Sequence, residues 1–233
     1  MIVSHKYGFI FLKTSKTAGT SVEIALSRFC GPEDIITPVS PEDEEKRQAM
    51  GGLGPQNHYG PTFRHSPKQL WKKLTKNKPL EYFYNHIPAR SIKRQVSADV
   101  WNNYFKFCIA RNPWDRVISQ YYWRQRHLSA DQMPPLSEFL ESRDIRSLQR
   151  KGYGLYTINN QLAVDNVCRY EHLEQDLEKV RQHLGLPEPL QLPRAKSGVR
   201  KDKRHYSEVL GNAERERIAE RFKDEIDLMG YKF

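Results

Sequence analysis

FIFLKTSKTAGTS, Phe9 to Ser21, is the stretch on which the reading of this chain turns. Apolar residues run into Lys13 and then into small hydroxyl residues around one glycine, Gly19. A buried strand that breaks into a tight turn and continues as a helix is how a protein builds an anion hole. N–H groups of the turn and of the helix N-terminus point at the ligand, and the helix dipole adds partial positive charge. Ala18 and Gly19 let the backbone approach closely. Lys16 adds a full charge, and Thr17, Thr20 and Ser21 add hydroxyl donors. This is not a Walker A motif, which needs a Gly-Lys pair; here the lysine precedes the glycine. Taken alone, the stretch also fits an ordinary polar strand-to-helix turn capped by threonines.

FCIARNPWDRVISQYYW, residues 107–123, repeats the pattern of strand, polar turn and helix. Arg111 sits at the strand end and Ser119 two helical turns on. A guanidinium recognises phosphate with two parallel N–H groups, and a serine hydroxyl completes the contact. Two phosphate sites at two strand ends point to a nucleotide phosphorylated at both ends. Arg116 reads as a surface partner of Asp115, and Trp114 as core.

Outward from these motifs, strands alternate with helices. The expected strands are 7–13, 81–86 (EYFYNH), 104–110 and 166–171. Expected helices follow the first motif, open at Ser66-Pro67 and run to Leu74, start near Ala89, begin at Pro113, carry Leu173 to Leu184, and follow Asn212. The pattern predicts an α/β fold: a three-layer, P-loop-like sandwich with a central, mainly parallel sheet flanked by helices. One domain over 1–233 is expected, with an insertion or lid-like loop at about 31–65, where Pro, Gly and a charge run accumulate.

The 38 basic and 28 acidic residues give a net charge of +10, which favours an anionic partner but does not choose among nucleotide, glycan, nucleic acid and membrane surface. The three cysteines, Cys30, Cys108 and Cys168, are widely spaced among apolar residues and read as buried thiols of a reducing compartment. No apolar run reaches the roughly 18 residues of a membrane span. A cytoplasmic, unprocessed chain is expected.

KTAGTS after an N-terminal strand, with RNPWDRVISQYY about ninety residues later, resembles the sulfotransferase superfamily. RYEHLEQD, the basic stretch at 196–206 and the closing DLMGYKF are similar to the end of its carbohydrate-type members, whereas residues 31–80 match nothing in that pattern. The resemblance implies that Lys16, Thr17, Ala18, Gly19, Thr20 and Ser21 hold the 5′-phosphosulfate of 3′-phosphoadenosine 5′-phosphosulfate (PAPS), and that Arg111 and Ser119 hold its 3′-phosphate. Lys16 then meets the charge on the leaving oxygen. His86, in YNHIPARSIK, resembles the histidine of a similar His-x-x-Ala setting in carbohydrate sulfotransferases, and is expected as the base that takes the acceptor hydroxyl proton. Its other reading is a cap for the following helix. Arg200 and Lys201 lie in a basic stretch that resembles the loop closing over the 3′-phosphate, though the usual Arg-Lys-Gly triplet is absent. That stretch reads equally as a solvated loop.

The expected activity is therefore PAPS-dependent O-sulfation of a carbohydrate or related hydroxyl acceptor, with no metal. Arg124 and Arg126 fit an anionic acceptor or outward-facing helix charges. His58 and His65 fit solvated positions or a substrate role in the insertion, and the remaining histidines read as solvated. Two other readings compete. A P-loop kinase lacks Gly-Lys-Ser/Thr and a strand-end aspartate for magnesium. A nucleic-acid-binding module lacks a base-reading motif, and the basic residues are dispersed.

Overall fold

A computed structural model describes residues 1–60, 82–193, 202 and 204–233. The helix expected at Ser66–Leu74, and Arg200 and Lys201, lie outside these residues. Five strands form one sheet in the order β3-β1-β2-β4-β7: β1 Ile2–Ser4, β2 Phe9–Leu12, β3 Ile35–Ile36, β4 Phe105–Ala110 and β7 Asn166–Arg169. A separate hairpin joins β5, Thr157–Ile158, and β6, Gln161–Leu162.

β2, β4 and β7 run parallel, with Phe11 beside Phe107 and Ile109 beside Cys168. β1 runs antiparallel to both β2 and β3 and makes that edge of the sheet mixed. Alternate residues point to opposite faces. Ile10, Leu12 and Cys108 pack on one face with Ile92, Trp101 and Tyr156. Phe9, Phe11, Phe107 and Ile109 pack on the other with Val22, Leu26, Leu177 and Val180. Helices α1 (Gly19–Ser27) and α9 (Leu173–Leu184) supply the second set; α3 (Ala89–Gln95), α4 (Ala98–Asn103) and α8 (Tyr153–Tyr156) supply the first. This is the three-layer α/β arrangement that the alternating pattern predicts.

Two expectations need correction. Residues 31–60 are not loop throughout: β3 joins the sheet, and α2, Pro41–Ala49, buries Asp43 and Arg47. Residues 82–86 form bends and a turn rather than a strand end. The backbone N–H groups of Tyr82 and Phe83 both donate to the His58 carbonyl at 2.9 Å, and His58, expected in solvent, is buried.

A third cluster joins the end of β4 to the C-terminal helices. Trp114, Val117 and Ile118 of α5 (Pro113–Arg124) pack with α6 (Leu136–Leu140), α7 (Arg143–Arg150), α10 (Tyr206–Val209), α11 (Asn212–Arg221) and α12 (Lys223–Met229). Arg116 is not a surface residue. It is fully buried, and its two terminal nitrogens donate to both oxygens of Glu225 at 2.9 and 2.7 Å. The Tyr156 hydroxyl donates to the same carboxylate at 3.2 Å. Arg116→Leu leaves that carboxylate buried without its cation, so it is expected to cost about 3–5 kcal/mol in urea unfolding, and the double change with Glu225→Leu is expected to cost less than the single one.

Candidate functional site

A cleft of about 540 Å³ opens at the carboxyl ends of β2, β4 and β7. The crevice beyond those ends is where open parallel sheets bind ligands. Lys16, Thr17, Ala18, Gly19, Thr20, Ser21, His86, Arg111 and Ser119 all line it. The structure thus brings together every site residue read from the sequence that falls among the described residues. A larger groove of about 710 Å³ beside β7 and α9 contains none of them.

The loop after β2 is shaped by its own small residues. Lys16 and Ala18 adopt left-handed backbone angles, at φ 65° and 60°. Ala18 is the N-cap of α1 and offers no side-chain cap, and the first helical turn holds no acidic residue. The Gly19, Thr20 and Ser21 N–H groups have no carbonyl four residues back within the helix, and the positive end of the dipole is left without an acidic neighbour in that turn. Thr14 Oγ1 donates to the Ile109 carbonyl and lies 2.7 Å from Thr17 Oγ1, fastening the loop to β4. Ser15 N–H donates to the Lys151 carbonyl at 2.9 Å, which fastens it to the end of α7. A Cβ on Gly19 would lie 2.9 Å from Lys13 Cγ and 3.3 Å from the Thr14 carbonyl. Gly19→Ala is therefore expected to push the loop outward, lowering thermal stability and weakening phosphate-ligand binding, both measured in one thermal-shift series.

Beneath the loop, Lys13 is buried with its ammonium 2.7 Å from Glu23 of α1, and Arg47 of α2 lies 3.6 Å from the same carboxylate. Burial alone would raise the Glu23 carboxyl, but its cationic neighbours, Lys13 foremost, outweigh it and hold it at about 2. The stretch expected as a lid thus contributes a cation to the buried ion cluster around Glu23.

Arg111 Nε donates to Asp115 Oδ2 at 2.8 Å, Nη2 lies 2.7 Å from the same oxygen, and Nη1 donates to the Lys16 carbonyl at 3.0 Å. Its guanidinium lies 4.0 Å over the Tyr170 ring. Three of its five N–H groups are so used, and two remain for a ligand. The Asn112 side chain accepts from Trp114 N–H and caps α5, setting Ser119 and Trp123 on the cleft side one turn apart. Among the described residues that line the cleft, Asp144 is the one carboxylate, and it pairs with Arg124.

His86 reaches the site through its turn, not through a strand. Its backbone is left-handed, at φ 60°, and its Nδ1 lies 2.9 Å from the Lys13 carbonyl. A carbonyl only accepts, so Nδ1 carries the proton, and in the neutral ring Nε2 keeps its lone pair. Burial lowers the imidazole pKa from 6.5 to about 4; the Lys13 and Lys151 ammonium groups act the same way, and the hydrogen bond to the carbonyl opposes them.

Sequence reasoning missed Trp123, Lys151 and Tyr170. Helical spacing from Ser119 marks Trp123, and Tyr170 follows the end of β7 directly, so both carried a signal. Lys151 carried none, because its place depends on how α7 docks.

Fold and cleft together define an α/β protein with a cationic, phosphate-loop type of cleft at the carboxyl ends of parallel strands. The chain belongs to the sulfotransferase family, whose pattern it matches over residues 1–232. It is therefore a sulfotransferase, the superfamily that the two sequence motifs resemble. A protein of Archaeoglobus fulgidus described only as uncharacterized is 36% identical over 107 residues, 45% of this chain and 87% of that one. The crystal structure of a sulfotransferase from Alicyclobacillus acidocaldarius is similar over 97% of this chain and 96% of that one, at 16% identity and a TM-score of 0.40. Among the described residues, no helix is long and apolar enough to cross a membrane.

Proposed function

We propose that this chain, acting as one domain, moves a sulfuryl group from PAPS to a hydroxyl of a carbohydrate or related acceptor. The observation that carries the reading is the convergence of Lys16, the α1 N-terminus, Arg111, Ser119 and His86 on one cleft. The residues fit a doubly phosphorylated donor: a helix end with no acidic residue in its first turn on one side, and a guanidinium with two N–H groups to spare on the other. The kinase and nucleic-acid readings give way to family membership. The three buried, unpaired cysteines suit a reducing compartment such as the cytoplasm.

Each residue then has a task. Arg111 and Ser119 hold the 3′-phosphate and so fix the donor's position. His86 Nε2 takes the acceptor hydroxyl proton as that oxygen bonds to sulfur. The sulfur–oxygen bond to the phosphate breaks, and the departing oxygen keeps the electron pair. Lys16 and the first-turn N–H groups of α1 neutralise the charge that builds there. Arg124 and Lys151 at the cleft wall suit an acceptor that carries a negative charge.

The test is thermal stability with 3′-phosphoadenosine 5′-phosphate (PAP), beside ADP and ATP with magnesium. At a hundred times its dissociation constant a ligand adds about 2.7 kcal/mol to the folded state. Stabilisation by the bisphosphate, lost in Arg111→Ala, is expected; stabilisation by ATP with magnesium alone overturns the reading.

A further inference from the structure

Several cations that line the cleft are already paired. Lys13 meets Glu23, Arg111 meets Asp115 and Arg124 meets Asp144. Lys151 differs: its ammonium has no carboxylate partner among the described residues. Its backbone, by contrast, is held twice. The Lys151 N–H donates to the Ser147 carbonyl at 3.0 Å, and the Lys151 carbonyl accepts the Ser15 N–H at 2.9 Å. The side chain therefore starts from a point fixed to α7 and to the phosphate loop together. Lys151 is also the C-cap of α7, where a cation suits the negative end of the helix dipole.

Lys151 and His86 address the same space. Both line the cleft, and the ammonium is near enough to help lower the imidazole pKa. Of the other cations that act on the ring, Lys13 is paired with Glu23, and so is the Met1 ammonium at 2.8 Å. An unpaired cation beside a base that must receive a proton works against the reaction, because it opposes the imidazolium. A negative group on the bound acceptor pairs with that cation and cancels its charge at the ring. The outer side of α7 carries the same sign. Arg143, Arg146 and Arg150 are exposed at i, i+3 and i+7, so they share one side of the helix, and they too have no carboxylate partner among the described residues. On α11, by contrast, Arg217 and Arg221 both pair with Glu141. The field on the α7 side of the cleft is therefore positive and draws an anion.

We propose that Lys151 is a specificity-determining residue, and that its ammonium takes a carboxylate or sulfate carried by the acceptor sugar beside the hydroxyl presented to His86. This rests on the sulfotransferase reading given above, and it names the acceptor as an acidic saccharide. A neutral sugar leaves the cation unpaired next to the proton that His86 has taken. An acidic sugar brings the counter-charge with it.

The experiment follows transfer of labelled sulfate from PAPS by the full chain to neutral, uronic-acid-containing and sulfated disaccharides, with kcat and KM read for each and stabilisation by PAP read beside them. The wild type is expected to favour one acidic class, which also tells carboxylate from sulfate. Lys151→Gln is expected to reduce that preference, taken as the ratio of kcat/KM values, by about 10- to 100-fold, the scale of a hydrogen bond to a charged group. Lys151→Arg is expected to retain most of it. Lys151→Gln is also expected to move the acid limb of kcat/KM to higher pH, because one cation no longer opposes the imidazolium. A wild type without preference overturns the inference, as does a preference that Lys151→Gln leaves unmoved. Equal loss for neutral and acidic acceptors overturns it as well, since Lys151 then serves only the end of α7. Stabilisation by PAP without transfer to any acidic disaccharide overturns it and leaves the donor site standing. Absence of any stabilisation by PAP is a failure of the donor reading itself, and it takes this inference with it.

Discussion

Lys16→Met is expected to lower the rate of sulfuryl transfer by about 10²–10³ while leaving the folded state close to wild-type stability. Removing one preorganised donor from a site of developing oxyanion charge has a cost of that size. In the proposed reaction Lys16 brings a full charge to the oxygen that keeps the departing electron pair. Methionine keeps the length of the side chain and removes only the charge. The left-handed backbone at position 16 is already borne by a lysine, φ 65°, so another unbranched residue adds no new strain there. The loop's fastenings use the Ser15 N–H, the Thr14 hydroxyl and the Lys16 carbonyl, and all of these survive the change. Single-turnover rates at saturating PAPS measure the effect on chemistry, and urea unfolding checks the fold. A loss confined to PAPS affinity, with the rate at saturation intact, would place Lys16 in ground-state binding instead.

The contrast between Lys16 and Arg116 shows what the sequence carries and what it hides. The place of Lys16 in the cleft was legible because it is set locally: strand, turn and helix end lie within thirteen residues of one another. Arg111 and Ser119 were legible for the same reason. β2 and β4 announce themselves through consecutive apolar residues, since both faces of the sheet are covered there. β1 and β3 were not legible. β1 has only three residues and owes its place to a turn through Gly8, at φ 61°, and β3 has two residues whose partner is β1. Arg116 reads as a surface residue beside Asp115 because its true partner, Glu225, lies 109 positions away. His86 was found by likeness of motif, but the reading of a strand beneath it was wrong. The His58 carbonyl ties down Tyr82 and Phe83, and the turn that follows brings His86 to the Lys13 carbonyl; neither contact leaves a periodic trace.

His86→Asn is expected to lower kcat by about 10²–10⁴, the range that a positioned general base contributes. Asparagine is chosen because it tolerates the left-handed backbone found at this position and its amide N–H can still donate to the Lys13 carbonyl. It has no basic lone pair to offer the acceptor. The pH dependence follows from burial. With the imidazole held at about 4, His86 in the free enzyme is neutral and competent well below pH 6.5, so the acid limb of kcat/KM should fall near pH 4 rather than near neutrality. An anionic donor bound beside the ring favours the imidazolium, so the limb of kcat should lie at higher pH than that of kcat/KM. The same burial sets a stability signature. The folded state binds this proton less readily than the unfolded chain, so acid favours unfolding as pH falls from 6.5 to about 4, and the effect is complete below that. Its full size is about 3 kcal/mol. His86→Asn removes the titrating group, so the variant should lose less stability than wild type between pH 6.5 and 4 in urea unfolding. A variant that is slow at every pH and equally acid-labile would mean that His86 serves the turn and not the proton.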